Sequence, residues 1–126
     1  MQVNRYLEDK SMDAIDHALG RPVDPMVETY RNRYVTGASD KTALAFRASP
    51  HWREYRISDD TAGFEVTTVG REALRDHLKE INDPWRLYVI SYDGYDMEQA
   101  GKSPANAKYR KWRSLTDSIP DLPFTV

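Results

Sequence analysis

The sequence contains no cysteine. That excludes disulfides, thiol nucleophiles and Cys-ligated zinc or iron–sulfur centres, and it fits a reducing interior. Nor is there an apolar run approaching the roughly 18 residues of a membrane-spanning helix. The opening "MQVNRYLEDKSMD" has neither the basic nor the apolar region of a secretory signal. The expected setting is the cytoplasm, with no membrane partner.

An excess of positive charge is missing too. Eighteen Lys and Arg against 20 Asp and Glu leave a formal charge of -2. The whole molecule therefore lacks the field of a general nucleic-acid binder, and any such contact must be local. No Gly-rich phosphate loop, nucleophile elbow or His-x-x-x-His pair occurs. His17 follows Asp13 by four residues and His77 lies between Asp76 and Glu80, spacings that packing or capping explains; His51 reads as a loop residue. Glu72, Asp76 and Glu80 could line up on a helix, but Arg71, Arg75 and Lys79 run beside them, as on a salt-bridged surface. The expectation is a protein without enzyme activity, metal or cofactor.

What is present describes one folded unit. A chain of 126 residues, 40% hydrophobic and 30% charged, can bury one core but not two. A single domain over 1–126 is expected, in two parts: about 11–81, and about 85–126 after the Asn82–Pro84 stretch. "SMDAIDHALGRP" predicts a helix over 11–19, capped by Ser11 and stopped at Gly20. "DPMVETYRNRYV" predicts a second, from Asp24 to Tyr34, with Tyr30 on its apolar side. A short third helix follows, with Ser39 as cap and Ala43, Leu44 and Phe46 before Pro50. "HWREYRISDDTAGFEVTT" reads as a hairpin tipped by Asp59 and Asp60. The next helix, about 69–81, turns Ala73, Leu74, Leu78 and Ile81 inward and pairs Glu72 with Arg75 and Asp76 with Lys79. "RLYVISYDGY" suits a central strand covered on both sides and ended by Gly94. Ser103 and Pro104 open a last helix, with Ala105, Tyr109 and Trp112 on one face, and "IPDLPFTV" is expected to be extended. The fold class is α+β.

The order helix, helix, short helix, hairpin, helix is that of a winged helix, and "FEVTTVGREAL" resembles the run at the wing exit of bacterial winged-helix regulators. Taken together, "AIDHALGRPVDPMVETYRNRYVTG", "ASPHWRE", "FEVTTVGREAL" and "SPANAKYRKW" resemble small proteins encoded by phages and prophages of alphaproteobacteria. That resemblance implies a genome context rather than a reaction: phage-gene regulators, inhibitors of host defence such as anti-CRISPR proteins, or host-takeover adaptors.

Two cationic clusters are candidate contacts. "KSPANAKYRKWR" carries Lys102, Lys108, Arg110, Lys111 and Arg113 with no acid among them. Cations interleaved with Tyr109 and Trp112 suit phosphate contact with base stacking, or an acidic groove on a partner. Equally, the two aromatics could be core and the cations their wet rim. "YRNRY" places Arg31 and Arg33 on opposite sides of a helix unless the helix has ended, in which case both can point outward; otherwise one braces an acid such as Glu28. Lys41 and Arg47 are the cations of the short helix that a winged helix would place in the major groove, although Asp59 and Asp60 would repel phosphate at the wing. Tyr88, Tyr92 and Tyr95 with Asp93 and Asp96 make a tyrosine-rich acidic edge. The expectation is an accessory protein that binds a host protein or ribonucleoprotein complex, inhibiting defence or transcription. The alternative is a small winged-helix DNA-binding regulator.

Overall fold

An aspartate starts the first helix. In the computed structural model, which describes residues 3–27, 29 and 31–117, α1 spans Lys10–Ala18 and the Asp9 carboxylate accepts from Met12 N at 3.1 Å. Ser11, the expected cap, lies inside the helix instead. Gly20 ends it as expected: Gly20 and Arg21 both take positive φ, 80° and 52°, and their amides return to the carbonyls of His17 and Asp16.

Among the described residues of 24–34, where a helix is expected, none forms. Asp24 accepts from Met26 N at 2.9 Å, closing a turn. Arg71 then takes the carbonyls of Pro25 and Val27, at 2.9 and 3.1 Å, and reaches the Thr29 hydroxyl at 3.3 Å. A helix would have offered those carbonyls to its own amides. Further on, Asn32 pairs edge-on with the backbone of Val66, donating to its carbonyl and accepting from its amide. Tertiary partners outweigh a weak local propensity. Glu28, Tyr30 and the expected extended tail 119–126 lie outside the described residues.

Three strands follow around a short helix: β1 (Tyr34–Gly37), α2 (Lys41–Arg47), β2 (Trp52–Arg56) and β3 (Thr61–Val66). They form an antiparallel sheet in the order β1-β3-β2, with Tyr34 opposite Phe64 and Trp52 opposite Val66. The hairpin is as expected. Asp40 rather than Ser39 precedes α2, and its carboxylate turns to Gly37 N and the Thr36 hydroxyl. Phe46 stacks on Trp52 with ring centroids 3.9 Å apart, and Tyr34 meets both edge-on. With Phe64, Ile15, Leu19 and Leu74 these rings belong to the main core or pack against it. Leu44 stays 60% exposed.

The helix α3 (Thr68–Glu80) begins where Thr67 accepts from Gly70 N at 3.1 Å. A Cβ at Gly70 would stand 2.6 Å from the His51 carbonyl oxygen, so glycine is what lets the helix seat here. Leu74 and Leu78 are buried as expected, Ala73 half so, whereas Ile81 is exposed just past the last turn. Arg75 bonds its neighbour Asp76 at 3.0 Å; among the described residues neither expected three-residue pair forms.

The strand expected to be central is not. β4 (Arg86–Tyr92) pairs only with β5 (Tyr95–Gly101) in a two-stranded antiparallel sheet turned by Asp93 and Gly94, whose φ values are 49° and 80°. Asp-Gly between two alternating runs is a two-residue hairpin signal, which converts the expected stop into a turn. α4 (Pro104–Thr116) contacts both strands, leaving Val89 65% exposed. Ser103 caps α4 as expected, accepting from Asn106 N at 3.1 Å. Gly101 lies so near Ala107 that a Cβ would come within 2.6 Å of its amide nitrogen. A small cluster of Val3, Trp85 and Ala100, with Val23 against it, packs this part together with the start of the chain.

Four helices and two antiparallel sheets among the described residues make the protein α+β. No helix among them is long and apolar enough to cross a membrane.

Candidate functional site

Charge is distributed unevenly over this scaffold. Most arginines outside α4 are bound by carboxylates or carbonyls. Arg47, one of the two candidate cations of α2, donates from Nε and Nη2 to Glu54 at 2.7 to 3.1 Å and from Nη1 to the Ala38 carbonyl at 2.9 Å. That bond raises the Arg47 pKa and lowers that of Glu54. Arg53 pairs with Glu65 and Arg56 with Asp59. The hairpin is thus less acidic than its tip suggests, although the Ser58 hydroxyl, backbone bonding and Thr61 hold Asp60 below the usual carboxylate range. Lys41 is exposed at the start of α2.

Arg31 and Arg33 differ. No helix joins them; Arg33 is exposed, while Arg31 is half-buried with its Nε enclosed and without a hydrogen-bond partner among the described residues. They do not form one outward patch.

The C-terminal helix is where cations stand apart from acids. Residues 99–116 contain no Asp or Glu. None of the ion pairs among the described residues involves Lys102, Lys108, Arg110, Lys111 or Arg113. Two of the five are used internally: Arg110 Cζ lies 4.7 Å and Lys102 Nζ 5.5 Å from the Trp85 ring centroid. Lys108 and Lys111 are half-buried along the helix flanks and Arg113 is exposed. Ala107, rather than either aromatic, is the buried residue of α4. Tyr109 is 46% exposed and sits 5.7 Å from the half-buried Trp112, so the alternative that both are core is set aside.

A second charged constellation is one that the sequence reading missed. Arg5 and Asp16, both buried, form a two-point pair at 2.6 and 3.0 Å, and Arg5 also reaches Asp83 at 3.2 Å and the Pro22 carbonyl at 2.6 Å. Arg21 extends it to Asp16 and Asp13, with its guanidinium 4.6 Å from the Tyr6 ring centroid. Burial pushes the Asp13 carboxyl up, but Arg21 and the Leu7 amide more than offset it, and the net pKa is lowered. A signal exists: Val3, Arg5 and Leu7 are buried while Asn4, Tyr6 and Glu8 are exposed, the two-residue period of an extended segment. Among the described residues no group of three or more His, Asp or Glu is placed to hold a metal. His17 packs edge-on against Tyr34.

No family model and no solved structure matches the chain. Among curated proteins it is similar to tRNA dimethylallyltransferases of Xanthomonas. That of Xanthomonas oryzae pv. oryzae (strain PXO99A) is 32% identical over 104 residues, covering 68% of this chain and 32% of the relative. Those of Xanthomonas axonopodis pv. citri (strain 306) and Xanthomonas euvesicatoria pv. vesicatoria (strain 85-10) are 31% identical with the same coverage. The chain spans about a third of the length of the curated relatives it matches. These similarities overturn the expectation of a protein that is no enzyme, because the proteins it resembles carry an enzyme's name.

Proposed function

We propose that this chain binds RNA through α4, in the service of a tRNA-directed activity of the kind its relatives are named for. One observation carries the reading: five cations on an acid-free segment, none of them in an ion pair among the described residues, beside a Tyr109–Trp112 pair. Most arginines elsewhere are bound by carboxylates or carbonyls of the fold. Phosphates would take Lys108, Lys111 and Arg113, and the partly exposed aromatic pair offers a face for an unstacked base. On this reading the host complex expected as partner would be a ribonucleoprotein whose RNA meets the same helix.

A second reading, a winged-helix DNA reader, has the strand order β1-β3-β2 and the short helix before the hairpin in its favour. Against it stand the missing second helix and the commitment of Arg47 to Glu54.

Fluorescence anisotropy with labelled tRNA and a labelled DNA duplex tests both. RNA binding should be at least tenfold tighter than duplex binding and weaken when Lys108, Lys111 and Arg113 are replaced by Glu. Preference for the duplex, with sensitivity to Lys41→Glu instead, would transfer the assignment to α2.

A further inference from the structure

The loop that fails to become a helix bounds a cleft of about 980 Å³, at the upper end of the range of small-molecule sites. Leu19, Val23, Val27, Leu78, Trp85 and Leu87 are among its lining. Leu19, Leu78 and Trp85 are buried, whereas Val27 is 54% and Leu87 45% exposed. An unrestrained loop would fold down over such a surface, since burying apolar area is favourable by about 25 cal/mol per Å². Two guanidinium groups prevent it. Arg71 fastens the carbonyls of Pro25 and Val27 to α3, and Arg5 holds the Pro22 carbonyl while bonding Asp83 across the cleft wall.

Its rim has an unanswered charge. Five ionisable side chains line it: Arg75, Lys79, Arg86, Asp24 and Asp83. Asp83 is neutralised from behind by Arg5. Arg75 is bonded to Asp76 and also lies in the field of Asp24. Lys79 has no ion pair among the described residues. Arg86 spends Nη1 on the carbonyls of Asp83 and Trp85 and leaves its other two nitrogens without a hydrogen bond among those residues. Lys79 and Arg86 are thus the lining cations without an ion pair among the described residues, and the Asp24 carboxylate, which accepts from Met26 N, is the lining acid without one.

We propose that this cleft binds a small molecule with an apolar body and a single anionic head, the body lying against Val23, Val27 and Leu87 and the head on Lys79 and Arg86. The inference does not rest on the RNA reading, since no residue of α4 lines the cleft.

Octanoate, octanamide and acetate separate the contributions of head and body. Titrated into the full chain and followed by amide NMR shifts, octanoate should move Val23, Asp24, Met26, Val27 and residues 78–83 and 85–87, and bind at least tenfold more tightly than octanamide, its neutral counterpart. Acetate, which has the head without the body, should not bind measurably. Lys79→Met, on the exposed side of α3, should reduce octanoate affinity several-fold and leave octanamide unchanged; Lys79→Arg should restore it. Equal affinity for octanoate and octanamide, shifts scattered over the surface, or indifference to both Lys79→Met and Arg86→Gln would overturn the proposal.

Discussion

Arg5 meets Asp16 at two points, Nη2 to Oδ1 at 2.6 Å and Nε to Oδ2 at 3.0 Å, with the carboxylate fully buried and the guanidinium 5% exposed. Removing one partner of such a pair leaves the other as an uncompensated buried charge, which costs about 3–5 kcal/mol. Here Asp16 faces two guanidinium groups, because Arg21 shares it. Asp16→Ala should therefore lower the unfolding free energy by at least that range in urea denaturation, and Asp16→Asn, which keeps the shape and loses the charge, should also destabilise clearly. A loss under about 1 kcal/mol, the size of an exposed ion pair, would mean that the network does not hold the fold.

Acid should loosen the same region from its outer member. The folded pKa of Asp13 is below its unfolded value, so its stabilisation is complete above the unfolded value of about 3.9 and fades as pH falls through the folded one. The partner Arg21 stays charged throughout. Asp13→Asn should lower the thermal midpoint at pH 7, and the gap to the unaltered protein should narrow steadily as pH falls below the unfolded value. A gap that stays constant as the pH is lowered would tie the effect to geometry instead of charge.

Two glycines should respond to alanine for opposite reasons. At Gly70 the backbone is ordinary helix, yet a Cβ would strike the His51 carbonyl oxygen at 2.6 Å and Val66 Cγ1 at 2.7 Å. Overpacking of about 1–3 kcal/mol should exceed the roughly 1 kcal/mol of helix propensity gained. At Gly94 a Cβ meets nothing within 4 Å, and the whole cost lies in φ at +80°. Gly94→Asn should then be better tolerated than Gly94→Ala, since Asn accepts left-handed backbone more readily. Comparing the three variants by chemical denaturation checks both causes.

Much of the fold can be read from local chemistry. Gly20, Thr67 with Gly70, and Ser103 with Pro104 mark helix ends by rules that need no tertiary partner, and the alternation around Trp52 and Phe64 marks its hairpin. Sequence reasoning fails where a distant side chain decides the outcome. Residues 24–34 have a helix's spacing, but Arg71, far along the chain, captures their carbonyls. Arg47 looks like a free cation because nothing in its own helix announces Glu54 on the following strand β2. Asp93 and Gly94 carry a turn signal of their own, which a reading of Gly94 as a strand end overlooks. Arg5 is hidden in an opening segment whose alternation is short and whose buried middle position is charged.

Salt dependence should separate contact cations from structural ones. For every phosphate that the protein ceases to neutralise, the slope of log affinity against log salt should fall by about 0.7 on single-stranded RNA. Lys108→Gln, Lys111→Gln and Arg113→Gln should each lower the slope measured with a labelled RNA. Arg47→Gln should leave it unchanged, because that side chain is already bound to Glu54. A slope lowered by Arg47→Gln alone would move the contact to the sheet side of the molecule.

Val3 packs with Trp85 and Ala100, and its amide donates to the Arg21 carbonyl at 2.8 Å. Synthesis delivers these groups far apart in time. The Val3 amide finds its partner nearby in sequence, but its side chain meets Trp85 and Ala100 only through contacts distant along the chain, whose loop must close before they form. The junction between the two sheets is therefore the least local part of the molecule, and losing Ala100 would take one apolar neighbour from Trp85.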